Sequence, residues 1–301
     1  MNTATDSGQR SGAAIVMLDG WLRARLPNAA LVWFGGQLEA LMGQDGAAVL
    51  ARALGQAPRR LGRDALQLNA SELAQAGRLR PGLEPGDWRI DQAARIAFVL
   101  AAYGGQEANF AQRLDALADT AEINEAIALY RGFPLYPAAE AIEHRAREAV
   151  RSSMRPVYEA IAHRNPYPVE HFDEGAWNQM VVKSFFLDSP LWPVQGLERR
   201  ANPALAQMLL DLAHERWAAG RTISPELWRC VAPHADGRGH AAMLRVLESG
   251  AEMERLAVVL SLRAAGGADA TLLRDECRRQ GLEARAAQLS WSDCCPHTTN
   301  E

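Results

Sequence analysis

The stretch DWRIDQAARIAFVLAAY, residues 87–103, decides the fold class. Ile90, Ala94, Ala97, Phe98 and Ala101 recur at three- and four-residue spacing, the period of one helix face. Asp87 stands as a cap behind the turn formers Pro81, Gly82, Pro85 and Gly86, which end any preceding element. Working outward, the same spacing fills residues 14–26, 29–42, 46–54 and 64–79, with breaks at Pro27 and at the Ala57-Pro58 step. Alternating runs rich in Val, Ile and Thr are absent, and the abundant Ala, Arg and Glu favour helix. The expectation is an all-α fold, either a multi-helix right-handed bundle or a solenoid-like array.

Toward the C-terminus, residues 241–248, 252–265 and 271–280 read as short amphipathic helices separated by Ser249-Gly250 and Gly266-Gly267, the texture of HEAT-like hairpins. The chain therefore divides, on paper, into a disordered N-terminus (1–12), a helical core (13–235), a HEAT-like C-terminal subdomain (236–291) and a disordered tail (292–301).

Composition removes several classes of function. The longest apolar run, residues 96–103, falls far short of the roughly 20 residues a membrane-spanning helix needs. No basic segment followed by a long apolar core marks a secretory signal. The 32 basic and 36 acidic residues are interspersed, leaving no stripe to neutralise a nucleic-acid backbone. Cys230 and Cys277 stand far apart and Cys294 and Cys295 are adjacent, so no disulfide framework is drawn and a reducing cytoplasm is the expected location.

Between Arg131 and His234 lie 11 of the 20 aromatic residues, 10 of the 15 prolines, 5 of the 7 histidines and the only lysine, Lys183. Prolines and aromatics shape rigid loops around a fixed surface, which makes this region the place to look for a site. In NPYPVEHFDEGAWNQMVVKSFF (165–186), Pro166 and Pro168 force an extended entry into a helix that starts near Val169 or Asp173 and ends near Phe186. Trp177, Met180, Val181, Ser184 and Phe185 form its buried stripe. Asn178, at the edge of that stripe, reads either as a structural hydrogen-bonder or as a binding group. Lys183, one turn beyond Gln179, is either solvated or a ligand contact for which an arginine is no substitute.

In NPALAQMLLDLAHERWAAG (202–220), Asn202 caps, Pro203 begins and Gly220 ends a helix. His214 and Glu215 resemble the start of a zinc-protease HExxH helix, but Ala218 occupies the place of the second histidine, which rejects that reading. In TISPELWRCVAPHADGRGH (222–240), Ser224 caps, Pro225 begins and Glu226 opens a further helix. Neither Cys230 with His234 and His240 nor the terminal Cys294, Cys295 and His297 supplies the four ordered ligands of a zinc site. No metal and no cofactor is expected. GxSxG, GxxxxGK[ST] and strand-borne GxGxxG motifs do not occur.

A groove lined by Tyr167, Trp177, Trp192, Trp217 and Trp228, with Asn178, Gln179, Lys183, His214 and Arg216 as polar groups, would suit an amphipathic or aromatic molecule. The alternative is an enzyme using His171, His214, Asp173 and Glu174 as acid and base, and a third reading is a scaffold built on the C-terminal hairpins. An enzyme should bring a histidine and a carboxylate together in a concave pocket, whereas an adaptor should expose a broad surface.

RGFPLYP (131–137), AIAHRNPYPVEHFDEGAWNQMVVKSFF (160–186), RRANPALAQMLLDLAHERWAAGR (199–221) and SPELWRCVAPHA (224–235) together resemble the EboA family of metabolite traffic proteins. DWRIDQAARIAFVL (87–100) is similar as well, and the resemblance covers roughly residues 80–262. It implies an all-helical cytoplasmic protein, peripheral to the inner membrane. It also implies partners from a shared operon, a UbiA-like membrane prenyltransferase among them, and a role in moving a secondary-metabolite precursor. It brings no catalytic residues with it. The resulting expectation is a binding protein or adaptor rather than an enzyme.

Overall fold

The computed structural model describes residues 3–43, 46–263, 265 and 268–295. Among these residues every extended element is a helix, and pairing of strand type is confined to an isolated bridge between Ala65 and Arg89. The fold is all-α. By its contacts the chain divides into two compact units, Met1–Asp173 and Glu174–Glu301, a division that cuts through the stretch 13–235 read above as one core.

In the first unit the helix Ile90–Ala101 is buried along its whole length. The helices Thr3–Arg23, Asn28–Leu41, Gly46–Leu61 and Ile123–Arg131 all pack on it. The spacing predicts one apolar face; the helix is instead surrounded. That requires its polar residues to find partners inside the protein, because a buried charge without one costs several kcal/mol. They do: Arg95 Nη1 donates to Asp91 Oδ2 at 3.2 Å and to the Asn124 carbonyl at 3.1 Å. Arg89 Nε reaches Asp91 Oδ1 at 3.1 Å.

Four boundaries differ from the periodicity, the first at the deciding helix itself: Asp87 ends a 3-10 turn, Pro85–Asp87, and the helix begins at Ile90. The helix expected over residues 64–79 begins only at Ala70, because tertiary hydrogen bonds claim the backbone before it. The Leu66 amide donates to the Trp88 carbonyl at 2.8 Å and the Ile90 amide to the Asp64 carbonyl at 3.0 Å. Arg25 takes the Leu66 and Gln67 carbonyls and the Glu72 carboxylate. Asn69 and Glu72 then form a reciprocal capping box that fixes the start. The helix Gly46–Leu61 runs through Pro58, where a stop was expected. Helix Thr3–Arg23 extends through most of the stretch 1–12 that reads as disordered.

In the second unit Glu174–Phe186 packs on Pro203–Ala218, which packs on Leu227–Val231. Gly237–Ser249 packs on Glu252–Ser261 and on Ala268–Arg279, and Glu252–Ser261 also packs on Leu282–Ala286. Asn202 accepts the Leu205 amide at 2.8 Å, with Pro203 as first helical residue. Gly220, at φ 66°, follows that helix in the left-handed conformation glycine adopts freely. Ser224-Pro225-Glu226 form a turn rather than a helical start: the helix begins at Leu227. The tail read as disordered from residue 292 is ordered at first, with a 3-10 turn at Trp291–Cys294 and Cys294 buried; His297 lies outside the described residues.

Candidate functional site

The residues expected to bind a ligand fall into separate clusters. Tyr167 belongs to the first unit and is fully buried; its hydroxyl donates to the Ala139 carbonyl. The other seven belong to the second unit. Trp177 is fully buried, with the Arg200 guanidinium 4.8 Å from its ring centre. Asn178 pairs reciprocally with Asn202: its amide donates to Asn202 Oδ1 at 3.2 Å and its Oδ1 accepts from Asn202 Nδ2 at 2.9 Å. Gln179 is exposed and Lys183 half-buried, and neither side chain makes a hydrogen bond among the described residues.

A second cluster joins His214, edge-on to Trp217 at 5.4 Å, with Trp217 stacked on the fully buried Trp228 at 6.2 Å. Arg245 lies over Trp217 at 4.4 Å. Arg216 donates to the Thr222 carbonyl at 2.8 Å, closing the end of its own helix. Trp192 is partly exposed. Of the acid–base candidates, Asp173 pairs with Arg147 at 2.8 Å.

A cavity opens elsewhere. In the first unit a cavity of about 740 Å³ opens between helix Thr3–Arg23, the end of Ala70–Leu79, the start of Glu107–Thr120 and the loop RGFPLYPAAEA (131–141). Most of its wall is apolar, from Ala14, Leu79, Leu135, Pro137 and Ala138 among others. Arg10, Arg80, Glu107, Glu140 and His171 supply charge and hydrogen bonding.

The sequence builds this wall for identifiable reasons. Gly132 has no Cβ, and one placed there would overlap the Tyr136 hydroxyl, so only glycine lets the chain turn this tightly against that ring. Pro134 favours the short 3-10 turn Phe133–Leu135 that follows. Phe133 and Phe110 lie 5.9 and 5.6 Å from Tyr136 and fix it from two sides. Burial pushes the Tyr136 phenol well above its ordinary value, and its hydroxyl has no partner among the described residues. Ala138 sits at φ 62°, a left-handed conformation that costs an L-residue about 1–2 kcal/mol. Strain of this kind persists where the surroundings over-determine it. Arg80 braces the loop: Nε donates to the Pro134 carbonyl at 2.9 Å and Nη1 to Glu170 Oε1 at 3.0 Å.

His171 closes one side. It stacks on Tyr167 with 4.4 Å between ring centres, and Tyr167 in turn meets Phe133 edge-on at 5.3 Å. Of the residues singled out in the sequence, His171 is the one that lines the cavity, and Tyr167 supports it from behind. The wall itself carries no motif that marks it as a site. Its signal was the compression of two prolines, a glycine and two aromatics into the seven residues RGFPLYP.

Among the described residues no three His, Cys, Asp or Glu side chains converge as a metal ion requires. Among the described residues no helix is long and apolar enough to cross a membrane. A family model described as metabolite traffic protein EboA matches residues 14–232, a span that includes the whole cavity wall except Arg10 and Ser11. No curated protein and no solved structure matches the chain.

Proposed function

The chain belongs to the EboA family of metabolite traffic proteins, and we propose that it serves there as a binding protein that holds a small molecule in the cavity walled by residues 134–141. The carrying observation is the cavity itself. About 740 Å³ lies within the range of small-molecule sites, which are mostly apolar with a few fixed polar groups. The wall is held by bracing contacts rather than left to adapt: Arg80 on Pro134, Tyr167 on Ala139, and Tyr136 against Gly132. A preformed site of this kind loses little entropy on binding. In this reading the protein passes its cargo to a membrane partner of the UbiA-like prenyltransferase kind, acting as a peripheral component.

An enzymatic reading is favoured by one observation. His171 shares the cavity with Glu107 and Glu140, and a histidine with carboxylates in a concave site is what acid–base chemistry uses.

The test is mass spectrometry of small molecules retained by the full chain when purified gently from its host, beside an Ala141→Trp variant. Ala141 is exposed and lines the cavity, so an indole there fills the space without disturbing the core. A molecule retained by the wild type and lost from the variant supports the carrier. Equal retention by both places the cargo outside this cavity. Conversion of the molecule on incubation would select the enzyme.

A further inference from the structure

Each polar group of the cavity has a different amount of hydrogen-bonding capacity left. Arg80 has little, since its guanidinium is committed to the Pro134 carbonyl and to both oxygens of Glu170. That same commitment occupies the carboxylate beside His171. The His171 Nε2 atom lies 3.9 Å from Glu170 Oε2, beyond hydrogen-bond reach. Neither ring nitrogen of His171 has a hydrogen-bond partner among the described residues. The imidazole is nevertheless held in place by its stack on Tyr167, itself fixed by the hydroxyl bond to Ala139 and by the edge of Phe133. A half-buried, immobilised imidazole with unused donor and acceptor capacity, beside the apolar part of the wall, is a recognition group.

Charge narrows the class of ligand. The arginines of the wall, Arg10 and Arg80, are matched by Glu107 and Glu140. A diphosphate or nucleotide would meet those carboxylates with no excess of positive charge to hold it, and like charges repel at close range.

We propose that the cavity takes a largely apolar, uncharged small molecule with one hydrogen-bonding head, that His171 reads this head, and that Tyr167 is the residue that positions the imidazole. This rests on the cavity being the binding site. The wall fits such a body, because Ala14, Leu79, Leu135, Pro137 and Ala138 offer shape and burial without polar demands.

The test uses the full chain and prodan, a neutral naphthalene with a single ketone whose emission reports both burial and hydrogen bonding. Prodan should bind with blue-shifted emission, resist millimolar pyrophosphate, and bind at least about tenfold more weakly to Ala141→Trp. His171→Leu, which keeps the packing on Tyr167, should weaken binding about tenfold, the scale of one lost hydrogen bond, and shift the bound emission further to the blue. Absent binding, or binding undiminished in a folded Ala141→Trp variant, overturns the cavity as a site and this inference with it. Binding blocked by Ala141→Trp but unchanged in affinity and emission in His171→Leu, or displaced by pyrophosphate, overturns the inference and leaves the cavity standing.

Discussion

Arg95 Nε donates to the carbonyl of Leu54 at 3.0 Å, and Leu54 is the residue whose helical partner would be the missing amide of Pro58. A proline in a helix interior removes a hydrogen bond and leaves a carbonyl without its donor. Here an arginine from the central helix supplies it. Arg95 also holds Asp91 and the Asn124 carbonyl, so Arg95→Met would strand several buried acceptors at once. Breaking a buried ion pair by removing one partner costs about 3–5 kcal/mol. Urea unfolding should show a loss of that size; a loss under about 1 kcal/mol, the scale of an exposed pair, would show that the network is not what holds this helix.

Gly132 and Tyr136 are coupled through the space a Cβ would take. Gly132→Ala should destabilise by about 1–3 kcal/mol, as overpacking does. Tyr136→Phe removes a buried hydroxyl with no partner among the described residues and should be neutral or stabilising. A Cβ at Gly132 would also overlap Tyr136 Cζ and Cε1, which phenylalanine keeps, so the coupling is read with Tyr136→Leu, and the Gly132→Ala/Tyr136→Leu double variant should recover most of the alanine cost. Strict additivity in thermal unfolding would contradict the coupling.

Asn178 and Asn202 bind each other while Asn202 caps the helix Pro203–Ala218. Asn178→Ala should lower stability by about 1–2 kcal/mol, the scale of a buried amide losing its partner. It should leave small-molecule retention unchanged. Loss of the retained molecule at unchanged stability would make Asn178 a binding residue instead.

Glu226 is buried and accepts the Leu191 amide at 2.7 Å and the Cys295 thiol at 2.9 Å through Oε2, while Oε1 has no partner among the described residues. Burial raises its carboxyl above the ordinary 4.5, against the smaller opposing pull of Cys295 and the Leu191 amide. A raised folded-state value means the contribution to stability is complete below that ordinary value and is lost as pH rises through the folded one. This group's share of the melting temperature should therefore decline as pH is raised from about 4.5. Glu226→Gln, which keeps an acceptor for Leu191, should flatten that decline. An identical pH profile in the variant would refute the assignment.

Much of the helical content was legible because period and caps act locally: Asn202, Pro203 and Gly220 delimit their helix as the sequence predicts. What failed was decided by distant partners. Pro58 reads as a stop because nothing nearby announces Arg95, and residues 64–69 read as helix because nothing nearby announces Arg25 and Trp88. The site was harder still. Aromatic content drew attention to Trp177 and Trp228, yet both are fully buried, since large apolar rings mark cores as readily as grooves. The cavity wall is made mainly of alanine, proline and leucine, residues whose meaning comes from the space between them and not from their chemistry.

Amide hydrogen exchange on the full chain, with and without prodan, tests whether this cavity is where a small molecule binds. Occupancy of the cavity should slow exchange in residues 135–141, which line it, and around His171, with no change in the Trp217–Trp228 cluster. Protection confined to that cluster or to residues 174–186, with the 135–141 segment unaffected, would place the bound molecule outside this cavity.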